Sequence, residues 1–201
     1  MIHKTYNTLL IILVAILALT GCSSHYKYKI GVSQCVGGRW REKANNEMLS
    51  AQHLYDNDVK VIIKNADNNN ERQCLQIDSL VDEGVDLLVV SPNDYHALDR
   101  SLQRARKKNI PIVFFDRITA MKDYAAYIGG DNVEAGRMMG EYAAMLCRDS
   151  VVTDGRRPVV LEMTGPLEIS PATQRHAGFS NAVSNHPSID YRHVPSQWSY
   201  D

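Results

Sequence analysis

The feature that most limits this chain is an alternation of short apolar runs with longer stretches of helical spacing. Four runs dense in Val, Ile, Leu and Phe stand at Tyr28 to Val32, Val59 to Asn65, Leu87 to Val90 and Ile112 to Phe115. Near-continuous apolar strands of this kind suit a parallel sheet covered on both faces, because neither side can be left to water. Between the first two runs Trp40, Ala44, Met48, Ala51 and Tyr55 fall at helical spacing, and Leu98, Leu102 and Ala105 do so between the last two. The strands recur about every 25 to 30 residues, the length of a right-handed βαβ unit. The expected fold class is therefore α/β, a doubly wound parallel sheet.

The pattern then repeats. Tyr124 to Ile128 reads as a further strand, and Asp131 three residues before Glu134 has the spacing of a capping box, which starts a helix at Val133 and runs it to about Cys147. A polar break rich in Asp, Arg and Gly follows. After it come a strand at Val159 to Met163, a Thr-Gly-Pro loop, a helix from Gln174 to Asn185 and a strand from Tyr191. Ending at Asp201, this second unit holds about two strands and two helices, fewer than a closed core needs.

The N-terminus is of another kind. Met1 to Asn7 carries Lys4 and His3, Leu9 to Leu19 is uninterruptedly apolar, and Leu19-Thr20-Gly21-Cys22 closes the run with small residues before a cysteine. That is the layout of a secretory signal. The run is short for a transmembrane helix, and its ending resembles the lipobox of bacterial lipoproteins, which implies a signal over residues 1–22, acylation of Cys22 and a lipid anchor to a membrane on the periplasmic side of the envelope. An uncleaved anchor or plain secretion is the alternative; each places the rest of the chain outside the cytoplasm. Lys and Arg number 22 against 23 Asp and Glu, a net charge of −1 that offers no field for nucleic acid. Cys35, Cys74 and Cys147 show no C-x-x-C spacing, so no zinc or redox motif is indicated. A Cys35–Cys74 bridge is conceivable in an oxidising compartment, with three idle thiols as the simpler reading.

Ligands of open parallel sheets sit beyond the carboxyl ends of the strands. The residues there are strongly polar: Ser33, Gln34 and Gly37-Gly38-Arg39-Trp40 after the first run, Asp67-Asn68-Asn69-Asn70 after the second, Ser91-Pro92-Asn93-Asp94 after the third, Asp116-Arg117 after the fourth and Gly129-Gly130-Asp131 after the fifth.

These loops, with Ile30-Gly31-Val32-Ser33, Gly84-Val85-Asp86-Leu87 running on to Pro92, Ile110-Pro111-Ile112 running on to Arg117, Gly130-Asp131-Asn132 and Arg175-His176-Ala177-Gly178-Phe179, resemble the type 1 periplasmic binding proteins of the ribose-binding class. The resemblance covers nearly all of Tyr28 to Asp201. The Ser33-Gln34-Cys35 and Trp40-Arg41-Glu42-Lys43 segments look most like extracellular sensor regions of Bacteroides-type hybrid two-component systems. It implies two lobes that close on one small carbohydrate, an N-terminal α/β lobe over 26–129 and the start of a second over 130–201, incomplete here. On that ground the chain is expected to be a truncated product, marginally stable alone, with exposed strand edges.

The resemblance also implies roles. Asp116 and Arg117 stand where the family places a pair that hydrogen-bonds sugar hydroxyls; a carboxylate accepts two hydroxyl protons and a guanidinium donates in a fixed plane, so together they can read a vicinal diol. On spacing alone the pair serves equally as a salt bridge in a turn. Trp40 matches an aromatic that stacks on the apolar face of a sugar ring, and its spacing with Ala44 and Met48 equally fits a core residue. Arg175 matches the second lobe's ligand-binding arginine, a solvated arginine being the alternative. Gln34 and Arg39 complete the expected set, although around Gly37 and Arg39 this chain departs from the family, which commonly has Asn and an aromatic there. No metal and no cofactor is implied. The implied partners are the sugar and either a membrane permease or a transmembrane sensor kinase.

An enzyme finds no support. Asp67, Asp116 and Asp131 could be imagined as glycosidase carboxylates, but Asp131 is already a helix cap. H-E-x-x-H, G-x-S-x-G and G-x-G-x-x-G are all missing from the sequence. Related repressors carry a helix-turn-helix where this chain has an export signal, which excludes direct DNA contact.

Overall fold

The computed structural model describes residues 26–55, 58–149 and 156–197. The signal expected over residues 1–22, with Cys22, lies outside them. Strands β1 (Tyr28–Gln34), β2 (Val59–Asn65), β3 (Leu87–Val90), β4 (Ile112–Phe115) and β5 (Ala126–Ile128) form one parallel sheet in the order β2-β1-β3-β4-β5. Helices α1 (Arg39–Ala51), α2 (Asn70–Asp82) and α3 (Asp99–Lys107) are the crossovers. This is the α/β class the alternation predicts.

β1 runs two residues past its apolar stretch. Ser33 and Gln34 stay in the ladder opposite Lys64 and Asn65, and both are buried. Polar residues survive there because each finds partners: Gln73 Nε2 donates to Ser33 Oγ at 3.1 Å, and Gln34 bonds Arg41 and Asn45. Helix α2 was not singled out by the sequence reading, though its signals are present. Asn69 caps it by accepting from the Arg72 amide at 2.8 Å, and Ile77, Leu80 and Val81 recur at helical spacing on its buried side.

The two faces of the sheet differ. On one, Leu88, Val90, Ile112 and Phe114 pack against Ile77, Leu80 and Val81 of α2 and Leu98, Leu102 and Ala105 around α3 to make the main core. On the other, among the described residues, α1 and the short turn Gln52–Tyr55 that follows it are the cover, and Val59, Leu87, Val113 and Ile128 help to line an apolar groove of about 260 Å³ beside Met48 and Tyr55. The expectation of a sheet covered on both faces therefore holds fully for one face only.

A second, two-stranded parallel sheet pairs β6 (Val159–Thr164) with β7 (Asp190–Pro195), joined through α5 (Ser170–Ser184) and preceded by α4 (Asn132–Asp149). Asp131 caps α4 as expected, its carboxylate accepting from the Glu134 amide at 3.0 Å. The capping box does not close, because Glu134 turns to Arg137 instead. α5 begins four residues before the expected Gln174: Pro171 suits the first turn, where its missing N–H costs nothing, and Thr173 Oγ1 donates back to the Leu167 carbonyl. α4 and α5 touch along glycines; a Cβ on Gly178 would stand 2.0 Å from the Val133 carbonyl oxygen. The core here is small, with Phe179 and Val183 meeting Val160 and Tyr191, while Val159, Leu161 and Met163 face outward. Cys35, Cys74 and Cys147 are free thiols, so the conceivable Cys35–Cys74 bridge is not formed, and Cys74 sits on α2.

Candidate functional site

The loops leaving the carboxyl ends of β1 and β4 meet the start of α5 around a cleft of about 890 Å³, lined by Arg39, Trp40, Arg41, Asp116, Arg117 and Arg175 among others. A volume in this range accommodates a small ligand. Five of the six ligand residues expected from sequence, Arg39, Trp40, Asp116, Arg117 and Arg175, thus share one cavity.

Its centre is Asp116. The chain leaves β4 through a left-handed backbone at this residue, φ 65°, a conformation that aspartate tolerates better than most side chains. The turn is held from three sides: the Asp116 amide donates to the Ile128 carbonyl at 2.8 Å, the Arg117 amide donates back to Phe115 at 2.7 Å, and Tyr127 Oη donates to the Asp116 carbonyl at 3.0 Å. Burial pushes the Tyr127 phenol above its ordinary value, with the nearby Asp116 carboxylate adding to it. The carboxylate itself accepts from Arg41 Nη2 at 2.7 Å.

Arg41 went unassigned in the sequence reading, and it organises the site. It is 4% exposed. One guanidinium nitrogen donates to Gln34 Oε1 at 2.8 Å and to Ser91 Oγ at 2.9 Å, while the other reaches Asp116. A buried cation is tolerated only when paired and hydrogen-bonded, and all three partners come from strand ends. The available signal was an arginine one residue past Trp40, on a helix whose buried side the spacing already marked. Gln34 has a different position from that expected: it is 1% exposed and away from the cleft lining, with its amide donating to Asn45 at 2.7 Å and its oxygen holding Arg41.

Trp40 is not a core residue. It is 52% exposed, its ring edge-on to Phe115 at 5.7 Å, with the Arg41 guanidinium 4.8 Å from its centre. Arg117 is mostly buried. Burial pushes its guanidinium below the ordinary arginine value and Arg41 adds to this, while Cys35 and Asp116 oppose it; arginine remains charged throughout. Arg175 is exposed, and its Nε donates to Asn132 Oδ1 at 2.8 Å. The site thus combines one carboxylate, several fixed guanidinium groups and an aromatic surface, which suits a ligand with hydroxyl edges and an apolar face. Among the described residues no cluster of His, Cys, Asp or Glu could hold a metal, and no helix is long and apolar enough to cross a membrane.

Residues 30–201 match the family model described as the periplasmic binding protein domain. The chain is 27% identical over 126 residues to the ribose import binding protein of Escherichia coli (strain K12), covering 63% of this chain and 40% of that protein. It is 25% identical over 189 residues to the galactofuranose-binding protein of the same organism, covering 92% and 57%. Among solved structures, the fructose binding periplasmic domain of a hybrid two-component system superposes with a TM-score of 0.75 at 35% identity, covering 87% of this chain and 55% of that one. The chain spans about half the length, or less, of these relatives.

Proposed function

The chain belongs to the periplasmic binding protein family, and from that premise we propose that it is an extracytoplasmic receptor that binds a small carbohydrate without altering it. The observation that carries this reading is the Arg41–Asp116 ion pair beside Arg117 and the exposed Trp40, all lining one cleft at the strand ends. Asp116 accepts from two sugar hydroxyls, Arg117 donates to their oxygens and Trp40 covers the apolar face of the ring. Arg41 and Gln34 hold the carboxylate in place without leaving the protein interior. Arg39 and Arg175 close over the ligand as the two sheets approach, the first lobe comprising 26–129 and the second beginning at 130. A bond-breaking step is not part of this reading, and the named relatives are binding proteins.

The leader ending in Leu19-Thr20-Gly21-Cys22 supports export and a lipid anchor on Cys22. With an anchor, the receptor hands its ligand to a membrane permease. The second reading, a sensor region that reports to a transmembrane kinase, is favoured by the 35% identity to the sensor domain, above the identity to the ribose and galactofuranose relatives.

A thermal-shift screen of the purified chain against D-ribose, D-xylose, D-fructose, D-galactose and a methyl galactofuranoside tests the receptor reading, since a ligand of the native state alone raises its stability by mass action. One sugar should give a saturable shift that Asp116→Ala removes. A folded sample that responds to none of them would contradict it.

A further inference from the structure

Beyond Arg117 the cleft continues into a second hollow of about 440 Å³, which shares Val36 and Arg117 with the first and is floored by Asn68, Asn70 and Asn93. Nothing in the sugar site described above uses these three carboxamides. Two of them, Asn70 and Asn93, are held by each other, and Asn68 is fixed through its backbone. Asn93 Nδ2 donates to Asn70 Oδ1 at 2.6 Å, and the Asn93 amide donates to Gln73 Oε1 at 2.9 Å. Gln73 is fully buried and donates in turn to the Ser91 carbonyl at 2.9 Å, while Ser91 Oγ accepts from Arg41. Asn68 has a left-handed backbone, φ 61°, fixed by its amide donating to the Cys35 carbonyl at 2.8 Å. The network that holds Asp116, through Arg41, Ser91 and Gln73, ends on the Asn93 backbone; Asn70 meets the Asn93 side chain instead and lines the second hollow, not the first.

We propose that the second hollow is a subsite for a second sugar unit, so that the receptor takes the end of a neutral oligosaccharide or a disaccharide. The inference rests on the first hollow being the sugar site proposed above. A carboxamide presents a donor and an acceptor in one plane and a hydroxyl is both, so three asparagines can pair with the polar edge of a ring. Among the described residues no aromatic side chain lines this hollow, unlike the first, and the asparagines read the second ring by its hydroxyls. Asp94 and Glu168 line this hollow against a single cation among the described residues, Arg117, a balance that disfavours an anionic sugar there.

Calorimetric titration of the purified chain with D-fructose, D-glucose and D-galactose, each beside a disaccharide containing it (inulobiose, maltose and lactose), tests the subsite. For the preferred sugar the disaccharide should bind about tenfold more tightly than the monosaccharide, the yield of one or two net hydrogen bonds. Asn70→Ala should erase that difference and leave monosaccharide affinity unchanged. A disaccharide that binds no more tightly than its monosaccharide, or an Asn70→Ala variant that weakens both equally, would overturn the subsite while leaving the receptor intact. If neither length of any sugar binds, the receptor reading falls and the subsite falls with it.

Discussion

The two sheets use the same βα alphabet and end in different physical states. In the first, five parallel strands bring Leu88, Val90, Ile112 and Phe114 against two helices, and every one of these side chains is fully buried. In the second, two strands bury Val160 and Tyr191 only in part while Met163 stays 72% exposed. Parallel strands are stable where both faces are covered, and two strands with one helical layer cover one face. The proposed binding residues follow the packing. The first sheet and its helix α1 supply Arg41, Asp116 and Arg117 from buried or half-buried positions, whereas Arg175 on α5 stands exposed. A precise ligand site needs a stiff floor, and the five-strand sheet provides one.

The contrast can be broken at its strongest point first. Asp116→Ala strands the buried Arg41 cation, which should cost about 3 kcal/mol of stability and, with two charge-assisted hydrogen bonds gone, weaken sugar binding about 100-fold. Chemical denaturation and calorimetric titration read the two effects. The sheets themselves are compared by a matched pair of truncations: Leu88→Ala should cost about 3 kcal/mol, and Met163→Ala should stay within about 0.5 kcal/mol. Equal losses would mean that the outer face of the second sheet is packed after all. Gly178→Ala should part α4 from α5 at a cost of about 2 kcal/mol, seen by hydrogen exchange as loss of protection from Asn132 onward with the first sheet unchanged.

Smaller effects sharpen the comparison. Trp40→Ala should weaken sugar binding about tenfold with little loss of stability, because stacking is lost and no cavity is opened. In the second sheet, burial, with the hydrogen bond to Glu162 next, pushes the Tyr191 phenol up to about 12. A phenol raised in the folded state stabilises fully below its ordinary value near 10 and loses that contribution as the pH climbs through about 12. Melting of the second sheet, followed between pH 9 and 12, should therefore soften in the wild type and lose this step in Tyr191→Phe.

The sequence made the strands legible because runs such as Leu87 to Val90 are apolar throughout, and it made the loops legible because ligands gather at parallel strand ends. It did not show which polar residues would face inward. Gln34 reads as a cleft residue along the chain and Arg41 carries no role there, yet folding turns each toward the other beneath Asp116. That distinction depends on which side of α1 meets the sheet, and α1 is sparsely apolar, with Arg41 its sole fully buried residue. Helix α2 is hidden for a related reason: its buried side is interrupted by Gln73, a polar residue paired with Ser33 and Ser91. The α5 start lay outside the apolar pattern altogether, in a proline and a threonine hydroxyl.

A sugar stacked on Trp40 over the Asp116 turn, as proposed, must change the surroundings of the indole, so tryptophan fluorescence reports its binding. The chain has two tryptophans, Trp40 and Trp198, the second outside the described residues. Titration of Trp198→Phe with D-fructose, or with the sugar that gives the largest thermal shift, should produce a saturable change in the emission of Trp40, and Asp116→Ala should abolish it. Saturable binding by calorimetry with no change in Trp40 emission would place the sugar elsewhere and contradict the account.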